Sequence, residues 1–178
     1  MKYQTRMMLL LVTGWLSATI IFGSPEPGPH ADLRLLCDVW TTENGLPQNT
    51  IQAVVQTRDG YLWIGTQEGL VRYDGLRFTI FDTKNTKELR HNNISDLFEG
   101  RDGRLWIASS GGLVVYREGK FTGYTTQDGL SSDVIETVLE DRQGTVWIGI
   151  FGGGLNRLRD GKFTRFTARE GFTDTRIR

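Results

Sequence analysis

The sequence has few of the residues that build catalytic and metal sites, with two histidines and one cysteine among 178 residues. His30 and His91 lie far apart in the chain, whereas a metal site needs converging ligands and a catalytic triad needs an oriented base. The lone Cys37 cannot form an intramolecular disulfide, and we interpret it as a packed strand residue. We therefore predict no catalytic residue, no metal site, no cofactor and no enzymatic activity.

An excess of charge is also missing, because 21 basic residues balance 21 acidic ones. Nucleic-acid binding normally requires a basic face, so the composition gives no reason to expect a nucleic-acid partner.

Only one long apolar run is present, over residues 7–22, and it is shorter than the 18 or more residues of a spanning helix. Lys2 and Arg6 precede it, and glycine, serine and proline follow it. This pattern predicts a signal peptide over residues 1–24 and a proline-rich linker over residues 25–32, so that the protein is exported. An uncleaved anchor stays open as the alternative, because no clean cleavage site is present.

Glycine and aromatic residues are plentiful, at 22 glycines and 11% aromatics, and they recur in a segment of about 42 residues that is present three times. Each copy has Asp-Gly or Gln-Gly, then Leu-Trp-Ile or Val-Trp-Ile, then Gly-Leu. The tryptophans are Trp63, Trp106 and Trp147, which are 43 and 41 residues apart. This period is typical of a four-stranded propeller blade.

The copies predict an all-β fold of four-stranded antiparallel propeller blades over about residues 51–81, 94–125 and 134–166. The second strand of each blade is predicted over residues 61–66, 104–109 and 145–150. Residues 33–42 are expected to form the outer strand of a closing blade, and residues 176–178 the start of a next one. The domain over residues 33–178 would then hold three complete blades of an incomplete ring.

Side chains alternate along a strand, so both faces of each second strand are apolar. We assign the repeated tryptophans Trp63, Trp106 and Trp147 to the packing between blades. A structural role is also expected for Gly69, Gly112, Phe78, Phe121 and Phe163. An open set of blades exposes an apolar face at each end, so we expect the isolated chain to be oligomeric or poorly soluble.

The repeat resembles a known family at residues 44–51, which read Asn-Gly-Leu-Pro-Gln-Asn-Thr-Ile, and at residues 59–66, which read Asp-Gly-Tyr-Leu-Trp-Ile-Gly-Thr. Together with Gly69 and Leu70, they are similar to the two-component regulator propeller repeat. The resemblance implies the periplasmic, ligand-sensing part of a bacterial sensor histidine kinase. It also implies an immunoglobulin-like domain, a membrane helix and a kinase or cyclase in the parent protein, none of which is found in this sequence.

The functional surface of a propeller is commonly the mouth formed by the connections into the inner strands. The candidate ligand-binding residues in these connections are Arg90, His91, Asn92, Asn93, Gln48, Asn49, Ser132 and Asp133. We expect an oligosaccharide or another small polar ligand, with a solvated loop that binds nothing as the alternative.

Two other functions stay open. One is a structural or protein-binding propeller that pairs with other blades or with a second subunit. The other is a propeller lyase of the streptogramin-inactivating kind, which would require a metal ion and catalytic histidines. A membrane contact is expected only through the signal peptide or a downstream helix.

Overall fold

The computed structural model describes residues 38–166. The predicted signal peptide and linker, His30, Cys37 and the strand start at residues 176–178 lie outside the described residues. Within residues 38–166 no helix has the length and the apolar character needed to cross a membrane.

In this described part of the chain, twelve strands form three separate four-stranded sheets, which we call blades 1, 2 and 3. Blade 1 consists of β1 (Ile51–Gln56), β2 (Leu62–Thr66), β3 (Gly69–Tyr73) and β4 (Phe78–Phe81). Blade 2 consists of β5 (Ile94–Glu99), β6 (Leu105–Ser109), β7 (Gly112–Arg117) and β8 (Lys120–Tyr124). Blade 3 consists of β9 (Ile135–Glu140), β10 (Val146–Ile150), β11 (Gly154–Arg159) and β12 (Lys162–Phe166).

Each blade is an antiparallel meander in which every strand pairs with the next one along the chain. The first strands of neighbouring blades lie side by side, β1 against β5 and β5 against β9. The prediction of an all-β fold built from four-stranded antiparallel sheets is thus confirmed.

The strand predicted over residues 33–42 falls partly outside the described residues. Its described part, residues 38–41, has no regular structure, and Thr42–Asn44 forms a 3-10 turn. Trp40 instead packs its ring against Tyr73 and Phe78 of blade 1, with centroid separations of 4.7 and 5.5 Å.

The turn between the second and third strands explains the repeated Gly-Leu pair. Gly69 and Gly112 have φ angles of +141° and +123°, a region that side chains with a Cβ rarely adopt. A Cβ at Gly69 would also lie 2.9 Å from the carbonyl oxygen of Phe81. The glycine therefore lets the third strand start close beside the fourth.

The core consists of apolar side chains held between blades. Trp63 is 1% exposed, and its ring lies 4.8 Å from that of Tyr116 in blade 2. Trp106 is 3% exposed and belongs to a cluster that includes Ile135 and Val146 of blade 3. Trp147 is half-buried, and its ring contacts Phe166 of its own blade at 5.8 Å. The three matched indoles therefore lie in three different environments.

The repeated phenylalanines of the fourth strands are half-buried and contact other rings. Phe121 lies 5.1 Å from Phe81 of blade 1, so its contact crosses from one blade to another. Phe163 lies 5.6 Å from Tyr124 of blade 2 in the same way.

Candidate functional site in the connections to the inner strands

The three connections into the inner strands begin with one shared turn. The first and third start with 3-10 turns at Thr42–Asn44 and Thr126–Asp128, and each turn has a capping box. The second is two residues longer, but the N–H of Asp82 donates to Asn85 Oδ1 at 3.0 Å in the same manner. Each connection then reaches a buried leucine, and these are Leu46, Leu89 and Leu130. The turn and the leucine fix the start of every connection on its blade.

Three of the predicted ligand residues occupy one matched position and make the same hydrogen bond. Asn49 accepts from the N–H of Thr42 at 2.8 Å, and Asn92 accepts from the N–H of Thr83 at 2.9 Å. Asp133 accepts from the N–H of Thr126 at 2.6 Å. These side-chain oxygens therefore close the connection on itself, a structural use that the sequence analysis missed.

Gln48 and Ser132 also bond within their own connections. Gln48 Oε1 accepts from the N–H of Thr50 at 2.8 Å, and Ser132 Oγ accepts from the N–H of Val134 at 3.2 Å. Their acceptor atoms support the loop backbone, which leaves their donor groups for solvent or a ligand.

Asn93 ties the second connection to the β6–β7 turn of blade 2. Its side-chain Nδ2 donates to Ser110 Oγ at 2.7 Å, and its backbone carbonyl accepts from the N–H of Ser110 at 3.1 Å. Gly111 allows this approach, because a Cβ there would lie 2.6 Å from the backbone nitrogen of His91. The loop is therefore held at both its start and its end.

Three of the predicted ligand residues are exposed, Arg90, His91 and Asn49, and two of these, Arg90 and His91, are neighbours in the second connection. His91 Nδ1 accepts from the N–H of Asn93 at 3.0 Å, which orients the ring and leaves Nε2 at the surface. Arg90 lines a shallow groove of about 240 Å³ together with Lys87, Glu88 and Gly123. The second connection thus carries two neighbouring exposed side chains, Arg90 and His91, whereas Gln48, Asn49, Ser132 and Asp133 belong to the other two connections.

The opposite end of the blades carries an arginine ladder that the sequence analysis did not identify. The backbone N–H of Arg58 donates to Glu99 Oε1 at 3.0 Å, and its guanidinium donates to the carbonyl of Arg101 at 2.7 Å. Arg101 in turn donates to the carbonyl of Arg142 at 2.7 Å, and its N–H lies 3.4 Å from Glu140 Oε2. The signal in the sequence was the recurrence of arginine and glutamate at matched positions.

The residue six positions before each tryptophan faces the indole N–H. Thr57 accepts from Trp63 at 3.2 Å, and Asp141 accepts from Trp147 at 2.8 Å. The bond from Trp147, followed by that from the N–H of Thr145, lowers the pKa of Asp141 below its ordinary value. No group of three potential metal-binding side chains occurs within residues 38–166.

Comparison with protein families finds three matches to the two component regulator propeller, at residues 45–68, 88–111 and 129–152. Each match covers a connection, the inner strand and the tryptophan strand of one blade. Comparison with curated proteins finds no match.

Solved structures with a similar fold are propeller proteins. The extracellular domain of a protein described as a hybrid two component system from B. thetaiotaomicron is 21% identical with a TM-score of 0.69, and the match covers 76% of this chain and 19% of that one. Virginiamycin B lyase from Staphylococcus aureus is 16% identical with a TM-score of 0.55, covering 69% and 43%.

PorZ, a surface component of the type-IX secretion system of Porphyromonas gingivalis, is 12% identical with a TM-score of 0.51, covering 68% and 22%. The chain thus spans about a fifth of the first of these structures and less than half of the others. At these identities the likeness shows the fold alone, and the family rests on the three matched repeats. The chain therefore contains three repeats of the two component regulator propeller type.

Proposed function

We propose that this chain is part of the exported ligand-sensing region of a two-component signalling protein, with its binding surface on the connections to the inner strands. The observation that carries the proposal is the second connection. Asn92 accepts from the N–H of Thr83 and Asn93 donates to Ser110 Oγ, so both ends of this loop are held, while Arg90 and His91 remain exposed. A rigid loop that presents unbonded donors loses little entropy on binding, which favours recognition of a polar ligand.

The ligand expected at this loop is polar and rich in acceptor atoms. The guanidinium of Arg90 has five donors, and His91 has one exposed ring nitrogen. An oligosaccharide supplies hydroxyl oxygens for both groups, and its hydroxyl protons can reach the carboxylate of Glu88 in the adjoining groove.

The test is calorimetric titration of the full chain with a panel of oligosaccharides. We expect one member of the panel to bind and the double variant Arg90→Ala/His91→Ala to weaken that binding by at least about tenfold, equivalent to about 1.4 kcal/mol. Both residues are exposed, so the variant should fold normally.

The matched control is Lys84→Ala, which removes another exposed cation of the same connection, outside the Arg90 and His91 pair. It should leave the affinity unchanged. Equal weakening by both variants would indicate a general charge effect, and an unaffected double variant would place the ligand elsewhere.

A second candidate function, pairing with further blades or a second subunit, is favoured by one matched position on the inner strands. Leu97 and Val138 are 7% and 2% exposed because the preceding blade covers them. Val54 occupies the same position in blade 1 and is 57% exposed. Ile51 is likewise exposed, while Ile94 and Ile135 are buried. This face therefore fits an apolar blade of the same kind.

Light scattering after size-exclusion chromatography tests the pairing function. We expect the chain to associate and Val54→Lys to reduce the association, since a charge on this face would have to be desolvated. Leu76→Lys is the control, because Leu76 is 88% exposed in a turn and should not affect the oligomeric state. A monomeric wild-type chain would argue against this function.

A further inference from the structure

The cleft between blades 2 and 3, on the side of the arginine ladder, differs from the cleft between blades 1 and 2. Its wall contains Trp106, Tyr124, Val146 and Leu158, and its rim carries charged side chains. It has a volume of about 470 Å³, against about 200 Å³ for the matched cleft beside Trp63. The larger volume is within the range of about 300 to 1,000 Å³ that is typical of small-molecule sites.

Smaller side chains at three matched positions account for the difference. Gly100 occupies the position of Thr57, the residue that accepts from the indole of Trp63. Leu158 occupies the position of Tyr116, because each pairs with the first residue of the second strand in its own blade. Val115 stands opposite Trp106 where Arg72 stands opposite Trp63.

In the cleft between blades 1 and 2 the larger residues fill the space around the indole. Arg72 lies over the ring of Tyr61 at 4.6 Å and donates to the hydroxyl of Tyr116 at 3.2 Å. Tyr116 in turn lies against Trp63, and Thr57 accepts the indole proton. Among the described residues none of these contacts has a counterpart around Trp106, so the cleft between blades 2 and 3 stays open.

The indole N–H of Trp106 is a further sign of a ligand site in this cleft. Trp106 is 3% exposed, and its Nε1 has no hydrogen-bond partner among residues 38–166. A Cβ at Gly100 would lie 3.1 Å from this nitrogen and 2.5 Å from Glu140 Oε2. The Glu140 carboxylate therefore lies on the side of the indole where Thr57 and Asp141 place an acceptor, but it makes no hydrogen bond to the indole. A buried donor without a partner destabilises the fold, and an acceptor atom of a ligand would remove this cost.

The other polar groups of the cleft require a ligand that both donates and accepts. Arg101 and Arg104 bring two positive charges, while Asp102, Glu140 and Asp160 bring three negative ones. Arg104 pairs with Asp102 at 2.9 Å, but no basic side chain of the described residues lies within salt-bridge distance of Glu140. A free anion would be repelled by the carboxylates, and a free cation offers nothing to the Trp106 donor. A hydroxyl group satisfies both, because it accepts from the indole and donates to Glu140.

From these contacts we infer that the cleft between blades 2 and 3 is a binding site for a small neutral polyhydroxyl compound, with Trp106 Nε1 as its buried donor and Glu140 as its acceptor. The inference goes beyond the proposed function, because this cleft lies at the opposite end of the blades from Arg90 and His91 and shares no lining residue with the groove beside Arg90. The test of this inference follows the Trp106 signal, whereas the test of the proposed function changes Arg90 and His91. Either the inference or the proposed function can therefore fail while the other holds.

The experiment follows the indole N–H signals of the full chain, labelled with nitrogen-15, by nuclear magnetic resonance during titration with myo-inositol. Acetate and ethylammonium serve as the anionic and cationic probes. We expect a saturable shift of the Trp106 signal with myo-inositol alone, while the signal of Trp63, which is already bonded to Thr57, stays in place. The variant Gly100→Thr, which supplies the acceptor found in blade 1, should abolish the shift.

A second variant keeps the test decisive if Gly100→Thr does not fold. Trp106→Phe removes the donor but keeps an aromatic ring, and by calorimetry it should weaken myo-inositol binding by up to about tenfold. Trp147→Phe is the matched control, since its indole donates to Asp141, and it should bind like the wild type. The inference is wrong if no saturable shift occurs, as when solvent alone satisfies the indole, if the ionic probes bind equally well, or if both tryptophan variants behave alike.

Discussion

The three tryptophans allow one prediction to be worked out within a single chain. Trp63 is 1% exposed, and it contacts Phe81 of its own blade and Tyr116 of the next one. A buried indole covers about 150 to 250 Å², which corresponds to about 4 to 6 kcal/mol of transfer free energy at about 25 cal/mol per Å². Alanine keeps part of this, so Trp63→Ala should lower the free energy of unfolding by about 3 to 5 kcal/mol.

Trp147→Ala is the internal control, because the same motif places this indole in a more exposed position. Among the described residues its ring contacts Phe166, and its N–H bonds to Asp141, whose carboxylate can turn to water when the indole is removed. We expect a loss of about 1 to 2 kcal/mol, near the centre of the distribution for point substitutions. Both variants are compared by urea unfolding, followed by circular dichroism because the substitutions remove a fluorophore.

Equal losses of unfolding free energy for the two variants would refute this prediction, because the loss should depend on how deeply each indole is buried and not on its place in the motif. A loss below about 1 kcal/mol for Trp63→Ala would do so as well, because it would mean that the contact between blades 1 and 2 contributes little.

Three further predictions concern the turns and the ladder. Gly112→Ala should cost about 1 to 3 kcal/mol in thermal or urea unfolding, because a Cβ would collide with the β8 backbone at a φ of +123°, whereas Gly119→Ala has open space and should cost less. A double-mutant cycle on Arg58 and Glu99 should give a coupling of about 0.5 to 1 kcal/mol that decreases with salt, and no coupling would remove the ladder as a source of stability. The folded pKa of Asp141 lies below 3.8, so its contribution is present above the unfolded pKa and is lost as the pH falls through the folded value. Asp141→Asn should therefore destabilise the chain at neutral pH and become indistinguishable from the wild type in strong acid, as read from urea midpoints at both pH values.

The strands could be predicted closely because two local signals agree in every copy. Alternating apolar residues define the strand, and an Asp-Gly or Gln-Gly turn defines where it ends. Blade 2 was expected over about residues 94–125, and its strands are observed from Ile94–Glu99 to Lys120–Tyr124. The tryptophan strand of blade 3 was expected at residues 145–150 and is observed at Val146–Ile150.

Polar residues in the connections were harder to interpret, because a side-chain amide looks the same in a ligand site and in a turn. Asn49, Asn92 and Asp133 stand where a ligand contact was expected, and the structure shows them accepting backbone hydrogen bonds. Comparing the copies could have indicated this, since a ligand contact need not recur in every blade, whereas a turn must. Their role toward a ligand stays a prediction.

Differences between the copies are therefore more informative about binding than the repeated letters. The repeated residues build the turns and the contacts between blades, as the matched bonds of Thr57 and Asp141 to their indoles show. At Gly100 the copy in blade 2 departs from this pattern, and within residues 38–166 the indole N–H of Trp106 has no acceptor. A departure that costs stability and opens a cleft is what a binding site requires, because the ligand then supplies the bond that the fold leaves out.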